Sequence, residues 1–191
     1  QISLPPTWTP TPTATLIATH TPFWVVTPLE TSALNVLPTS TIPKSQIGPI
    51  KGSYAPNFKL TDIESDHQVG LSDYEGQVVV VFFWATWCQY CQAEMPTIQM
   101  IYQAYQDEGL VVLAVDVGES AAQARRYRDT HSLTFPILND PDRDVYSKYQ
   151  VTGFPTLFFV DRSGVISSIN IGVLDYWGFN KKVRALLNLT P

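Results

Sequence analysis

Apolar and polar positions along residues 52–190 fall into two rhythms. Val78 to Trp84 and Leu110 to Val117 are near-continuous apolar runs rich in Val, Leu and Phe, which predicts strands buried on both faces. Between them, Met95, Ile98, Ile101, Tyr102 and Tyr105 recur at helical spacing, predicting a helix from Gln89 to about Asp107. Pro96 is expected to kink that helix, because it removes one backbone hydrogen bond, and Gly109 to end it. Ahead of these elements, Ala55 to Leu60 alternates like a strand, and Asp66 and Gly70 frame a hairpin to a second strand near Gln68 to Leu71. Further on, a helix is predicted over Ser120–His131, a short strand over Phe135–Leu138 and a helical segment over Asp142–Tyr149. Strands Thr156–Val160 and Val165–Ile171, joined by a turn at Asp161–Gly164, lead to a terminal helix from Asp175 to about Leu189. The order is ββ, three βα units, then ββα, an α/β fold class with a mixed sheet.

The first 50 residues carry neither rhythm. Nine of the 15 prolines lie there with eleven threonines, and Glu30 and Lys44 are the only charges. Prolines cannot donate ladder hydrogen bonds, so residues 1–50 read as an extended Thr/Pro-rich stalk ahead of a domain at 51–191. Phe23-Trp24-Val25-Val26 is too short to span a bilayer and could dock on the domain or a partner. No basic segment followed by an apolar run is visible, so no targeting signal is read, and Gln1 reads as a processed or truncated start. Stalks of this composition predict an extracytoplasmic location, with a membrane anchor outside this sequence.

Glu30 and Lys44 cancel, so the net charge of −5 belongs to the domain. An acidic domain with scattered basic residues argues against nucleic acid as partner. About 140 residues with this apolar content can bury a core without disulfide staples. Cys88 and Cys91 are the only cysteines, and they sit where the strand Val78–Trp84 gives way to the helix from Gln89. Unpaired N–H groups and the dipole at a helix start stabilise an anion, which lowers a thiol pKa. A structural zinc site would need more ligands than this pair supplies, and His20, His67 and His131 show no ligand spacing to it. A disulfide across two intervening residues gains little loop-closure entropy. The pair therefore reads as one redox couple, with no metal and no cofactor beyond its own disulfide.

The block Trp84-Ala85-Thr86-Trp87-Cys88…Cys91, Glu94-Met95-Pro96 behind it and Gly153-Phe154-Pro155-Thr156 resemble the thioredoxin superfamily, more narrowly its TlpA/ResA-like extracytoplasmic thiol–disulfide oxidoreductases. The resemblance covers roughly residues 52–190. It implies a three-layer thioredoxin-like fold with a mixed central sheet, an N-terminal β-hairpin and a βα insertion from Leu110 to about Leu138. It also implies an enzyme that exchanges disulfides with protein substrates as a monomer. The electron source would be a membrane thiol relay, and cytochrome c apoproteins are substrates of several relatives. Cys88 would be the exposed nucleophile and Cys91 the resolving thiol. Phe154–Pro155 would be a cis peptide facing Cys88, beside backbone that pairs with an extended substrate, and Trp87 would belong to the substrate rim.

Three departures bear on that transfer. Gln89-Tyr90 between the cysteines is neither the Gly-Pro of thioredoxin nor the Pro-His of DsbA-like oxidants. Phe82 stands where thioredoxin has a buried strand acid, and Phe154 is larger than the residue common before the cis-proline. Two readings of Glu94 stand: a solvated carboxylate favoured by the helix dipole, or a proton donor and acceptor for the thiols, as in ResA-like relatives. Trp84 is expected in the core. Arg125, Arg126 and Arg128 are expected on a solvated helix face, and Asp140, Asp142 and Asp144 form only a loose cation spacing. The alternatives are a thiol peroxidase, disfavoured by the tight Cys-x-x-Cys, and a Sco-type copper carrier, which would want a His in a loop facing the cysteines, where residues 139–154 contain none.

Overall fold

The computed structural model describes residues 46–189; the expected stalk, including Phe23 to Val26 and His20, lies outside them up to residue 45. Seven strands, β1 Lys59–Asp62, β2 Gln68–Gly70, β3 Val78–Trp84, β4 Leu110–Val117, β5 Ile137–Asp140, β6 Thr156–Val160 and β7 Ile166–Ile171, form one sheet in the order β2-β1-β5-β4-β3-β6-β7. The central strands β3, β4 and β5 are parallel, and every other pairing is antiparallel. Four helices complete the fold: α1 Gln89–Tyr105, α2 Ala121–His131, α3 Asp144–Lys148 and α4 Tyr176–Leu187. This is the three-layer mixed architecture that the sequence predicts.

β3 and β4 are buried at every position, as their unbroken apolar runs require. Alternate residues feed two cores. Phe82, Trp84, Val112 and Ala114 pack with Cys91, Met95 and Ile98 of α1, Ala124 of α2 and Phe179 and Val183 of α4. Val81, Phe83, Leu113 and Val115 pack on the other side with Phe58, Tyr149 and Val145 of α3. Trp84 is fully buried, as expected.

Several boundaries shift for tertiary reasons. Ala55 and Phe58 do alternate inward, but ladder pairing starts only at Lys59, where β1 meets β2. β5 begins at Ile137 because that residue registers with Ala114, two positions later than the apolar pattern predicts. α3 starts at Asp144 because the Asp140 carboxylate accepts the N–H groups of Val145 (3.3 Å) and Tyr146 (2.9 Å). That bond set gives Asp140 a capping role in place of the loose cation spacing. The Arg cluster is also corrected: Arg125 donates to the Ile63 carbonyl and pairs with Asp66 at 3.1 Å. Arg128 pairs with Glu64 at 3.1 Å, so both pin α2 to the β1–β2 hairpin, while Arg126 is exposed.

Candidate active site

β3 ends at Trp84, and the loop Ala85–Trp87 turns the chain into α1 with Cys88 as its N-cap. The Cys88 Sγ accepts the backbone N–H of Cys91 at 3.1 Å, taking the place a capping oxygen usually fills. An anionic sulfur there would gain more from that donor than a neutral one. Cys88 and Cys91 are joined in a disulfide. Cys88, expected to be exposed, is only 6% accessible, and Cys91 is fully enclosed. Cys88 instead lines a cleft of about 600 Å³.

Trp87, Gln89 and Tyr90 line the cleft together with Thr152, Gly153 and Phe154, and Val117, Arg143 and Tyr146 complete the lining. Trp87 is 64% exposed, and its ring meets that of Phe154 edge-on at 5.7 Å. Phe154 in turn touches Tyr146 at 5.7 Å. The Phe154–Pro155 peptide is cis, as expected, and the Pro155 carbonyl accepts the Gly172 N–H at 2.8 Å. Trp87, Phe154 and Cys88 thus share one cleft.

Glu94 follows Cys91 by one turn on the buried stripe of α1, and it is 1% accessible. Its Oε1 accepts the Leu174 N–H at 3.0 Å, and Oε2 is buried without a partner. Burial pushes its pKa up to about 7, partly offset by the Leu174 bond. The reading of Glu94 as a solvated surface carboxylate is therefore excluded by its environment.

The sequence reading missed a second acid. Phe82 does replace the strand acid of thioredoxin, but Asp116 on β4 registers with Trp84 on the same face of the sheet, and it is fully buried. Burial, together with a hydrogen bond to the Glu119 carboxyl, pushes its pKa up to about 8. Glu119 accepts from the Thr86 backbone N–H at 2.5 Å and from its hydroxyl at 2.6 Å. The signal was present: Asp116 is the one charged residue in the apolar run Leu110–Val117. Among the described residues, no three His, Cys, Asp or Glu side chains gather as a metal site, His67 and His131 are exposed, and no helix is long and apolar enough to cross a membrane.

Residues 52–169 match the AhpC/TSA family. The thiol-disulfide oxidoreductase ResA of Geobacillus kaustophilus is 40% identical over 123 residues, 64% of this chain and 70% of the relative. The thioredoxin-like protein YneN of Bacillus subtilis is 37% identical over 137 residues, 70% of this chain and 79% of the relative. Among solved structures, a thiol:disulfide interchange protein DsbE from Chlorobium tepidum superimposes with a TM-score of 0.68 at 30% identity, covering 72% of this chain and 98% of that one. A buried helix-capping thiol pair, a cis peptide after Phe154 of the cleft and these relatives lead to one conclusion: the chain belongs to the AhpC/TSA family and, within it, to the ResA-like thiol–disulfide oxidoreductases.

Proposed function

We propose that Cys88 is the nucleophile and Cys91 the resolving thiol of an extracytoplasmic reductant of protein disulfides. The observation that carries this reading is the Cys91 N–H aimed at the sulfur of Cys88, which lines the cleft, while Cys91 is fully enclosed. In the reduced protein, the Cys88 thiolate attacks one sulfur of a substrate disulfide and the other leaves as a thiolate. Cys91 then loses its proton and attacks Cys88, restoring the intramolecular disulfide and releasing the substrate as a dithiol. Glu94, one helical turn beyond Cys91 and with its pKa brought near neutrality by burial, is suited to take that proton. Trp87, Phe154 and the backbone beside Pro155 form the surface on which an extended substrate lies.

The direction follows from charge. Gln89-Tyr90 adds no positive group beside the sulfurs, and the domain is acidic, so the thiolate is not stabilised as in DsbA-type oxidants. A membrane thiol relay would reset the pair, the Thr/Pro-rich stalk and an anchor beyond it would set the reach, and cytochrome c apoproteins are the substrates to try first. No bound cofactor is needed, because the reduced Cys88/Cys91 pair supplies both electrons and is left as the disulfide.

Equilibration against glutathione tests this. We expect a reduction potential nearer to about −270 mV, the thioredoxin level, than to about −120 mV, the DsbA level. A value more oxidising than about −180 mV, the level of protein disulfide isomerase, would make the protein an oxidase or isomerase.

A further inference from the structure

Thr86 stands two residues before Cys88, and its backbone N–H, hydroxyl and carbonyl are all engaged. Glu119 takes the first two at 2.5 and 2.6 Å, and Gln92 Nε2 of α1 donates to the carbonyl at 2.6 Å. Among the described residues, Glu119 is thus the side chain whose hydrogen bonds tie the loop before Cys88 to the β4–α2 connection. Behind it, Asn139 Nδ2 of β5 donates both to Asp116 Oδ2 (3.2 Å) and to the Glu119 carbonyl (2.9 Å). The second oxygen of Asp116 is buried and has no donor aimed at it. Two carboxyl groups within hydrogen-bonding reach of each other, enclosed from water, cannot both be ionised at low cost. Glu119 receives two donors from Thr86, so it is the carboxylate, and Asp116 is the acid that donates to it.

We propose that Asp116 and Glu119 are positioning residues for thiol exchange: one shared proton joins their carboxyl groups, and the pair, through Thr86, fixes the loop that presents Cys88. The proposal rests on Cys88 being the nucleophile. It assigns the pair a role distinct from Glu94, which lies on α1 and is bonded to Leu174. When Asp116 loses its proton, two carboxylates face each other, Glu119 relaxes its hold on Thr86, and the attacking sulfur is less well placed. The other ionisable groups bearing on the pair are Asp140 at the end of β5, which adds like charge. The Arg143 guanidinium packs against Gly118, next in sequence to Glu119.

The test needs no turnover, because the cysteines of the oxidised protein do not titrate. The Thr86 amide resonance is followed by NMR from pH 6 to 9.5 in the oxidised full chain. A step with a midpoint of about 8 is expected in wild type and in Glu94→Gln, and its loss in Asp116→Asn. In the reduced protein, the exchange rate divided by the thiolate fraction should fall at least about threefold from pH 7 to 9.5. That is a small part of what two charge-assisted hydrogen bonds can contribute to positioning. The same ratio should stay flat in Asp116→Asn. If that variant does not fold, the carboxyl ¹³C resonance of Asp116 in wild type replaces it and must titrate together with the Thr86 amide. No step at Thr86, or a step that survives in Asp116→Asn, overturns the proposal. A step at Thr86 together with full exchange activity in Cys88→Ser would leave the carboxyl pair standing and sink the Cys88 assignment instead.

Discussion

The two faces of the sheet bury similar apolar side chains and treat their polar ones in opposite ways. On the α3 side, Tyr149 donates its hydroxyl to the Pro56 carbonyl at 2.7 Å, and both oxygens of Asp140 accept N–H groups of α3. On the α1 side, Glu94 Oε2, Trp84 Nε1 and Tyr127 Oη are buried without a partner, and Asp116 Oδ1 is buried with no donor aimed at it. A buried acid can relieve such a shortfall by keeping its proton, and a buried satisfied group has no reason to titrate. The α3 side is therefore built for stability. The α1 side, which holds the thiol pair, carries the groups whose protonation can change near neutral pH.

Deleting the chemistry is the sharpest way to separate the two faces. Cys88→Ser should drop disulfide exchange to the uncatalysed background, and Cys91→Ser should accumulate mixed disulfides with substrate, as seen by non-reducing electrophoresis. Both variants should keep the fold, since the core does not depend on a disulfide across two residues. Retained turnover in Cys88→Ser would move the chemistry elsewhere.

Stability should next depend on pH with a sign set by the α1 side. The folded pKa values of Glu94 and Asp116 are raised from 4.5 to about 7 and from 3.8 to about 8. Between those limits the folded state holds protons that the unfolded chain has released. Their stabilising contribution is therefore full below about pH 4 and is lost as pH rises to about 8, on the order of several kcal/mol in all. Urea denaturation across this range checks it, and Asp116→Asn should flatten the slope. A stability that rises from pH 5 to 8 would contradict the comparison.

Tyr149→Phe probes the satisfied face. Leaving the Pro56 carbonyl without its donor should cost about 1–3 kcal/mol at every pH, with the exchange rate unchanged. A change in the pH profile of exchange would show that the faces are coupled.

Glu94→Gln should move the Cys88 thiol titration to lower pH, because a carboxylate near the sulfurs opposes their ionisation above neutral pH. Exchange near pH 8, where Glu94 is ionised, should become severalfold faster in the attack step and slower in resolution. Titration curves that superimpose on wild type would reduce Glu94 to a packing residue. The smallest effect is expected from Trp87→Ala, which removes an exposed ring from the cleft wall. Loss of its edge contact with Phe154 and of the substrate surface should raise KM by about three- to tenfold, with kcat nearly constant. Calorimetry should find stability unmoved.

The sequence alone determined the parts that obey local rules. Runs such as Val78–Trp84 can only be buried strands. A thiol pair at a strand-to-helix junction meets the helix N-terminus wherever the rest of the chain lies, and Pro155 marks the opening of β6 beside it. Tertiary structure decided what depends on partners far along the chain. The start of β5 is set by Ala114, the pairing of Arg128 by Glu64, and the environment of Glu94 by Leu174, eighty residues away. Asp116 is the clearest case. A single acid in an apolar run has no periodicity to announce it, and its partner Glu119 and the loop at Thr86 meet only when β3 and β4 pair in register. Periodicity reports which face a residue takes, whereas protonation and positioning depend on which distant groups share that enclosed space.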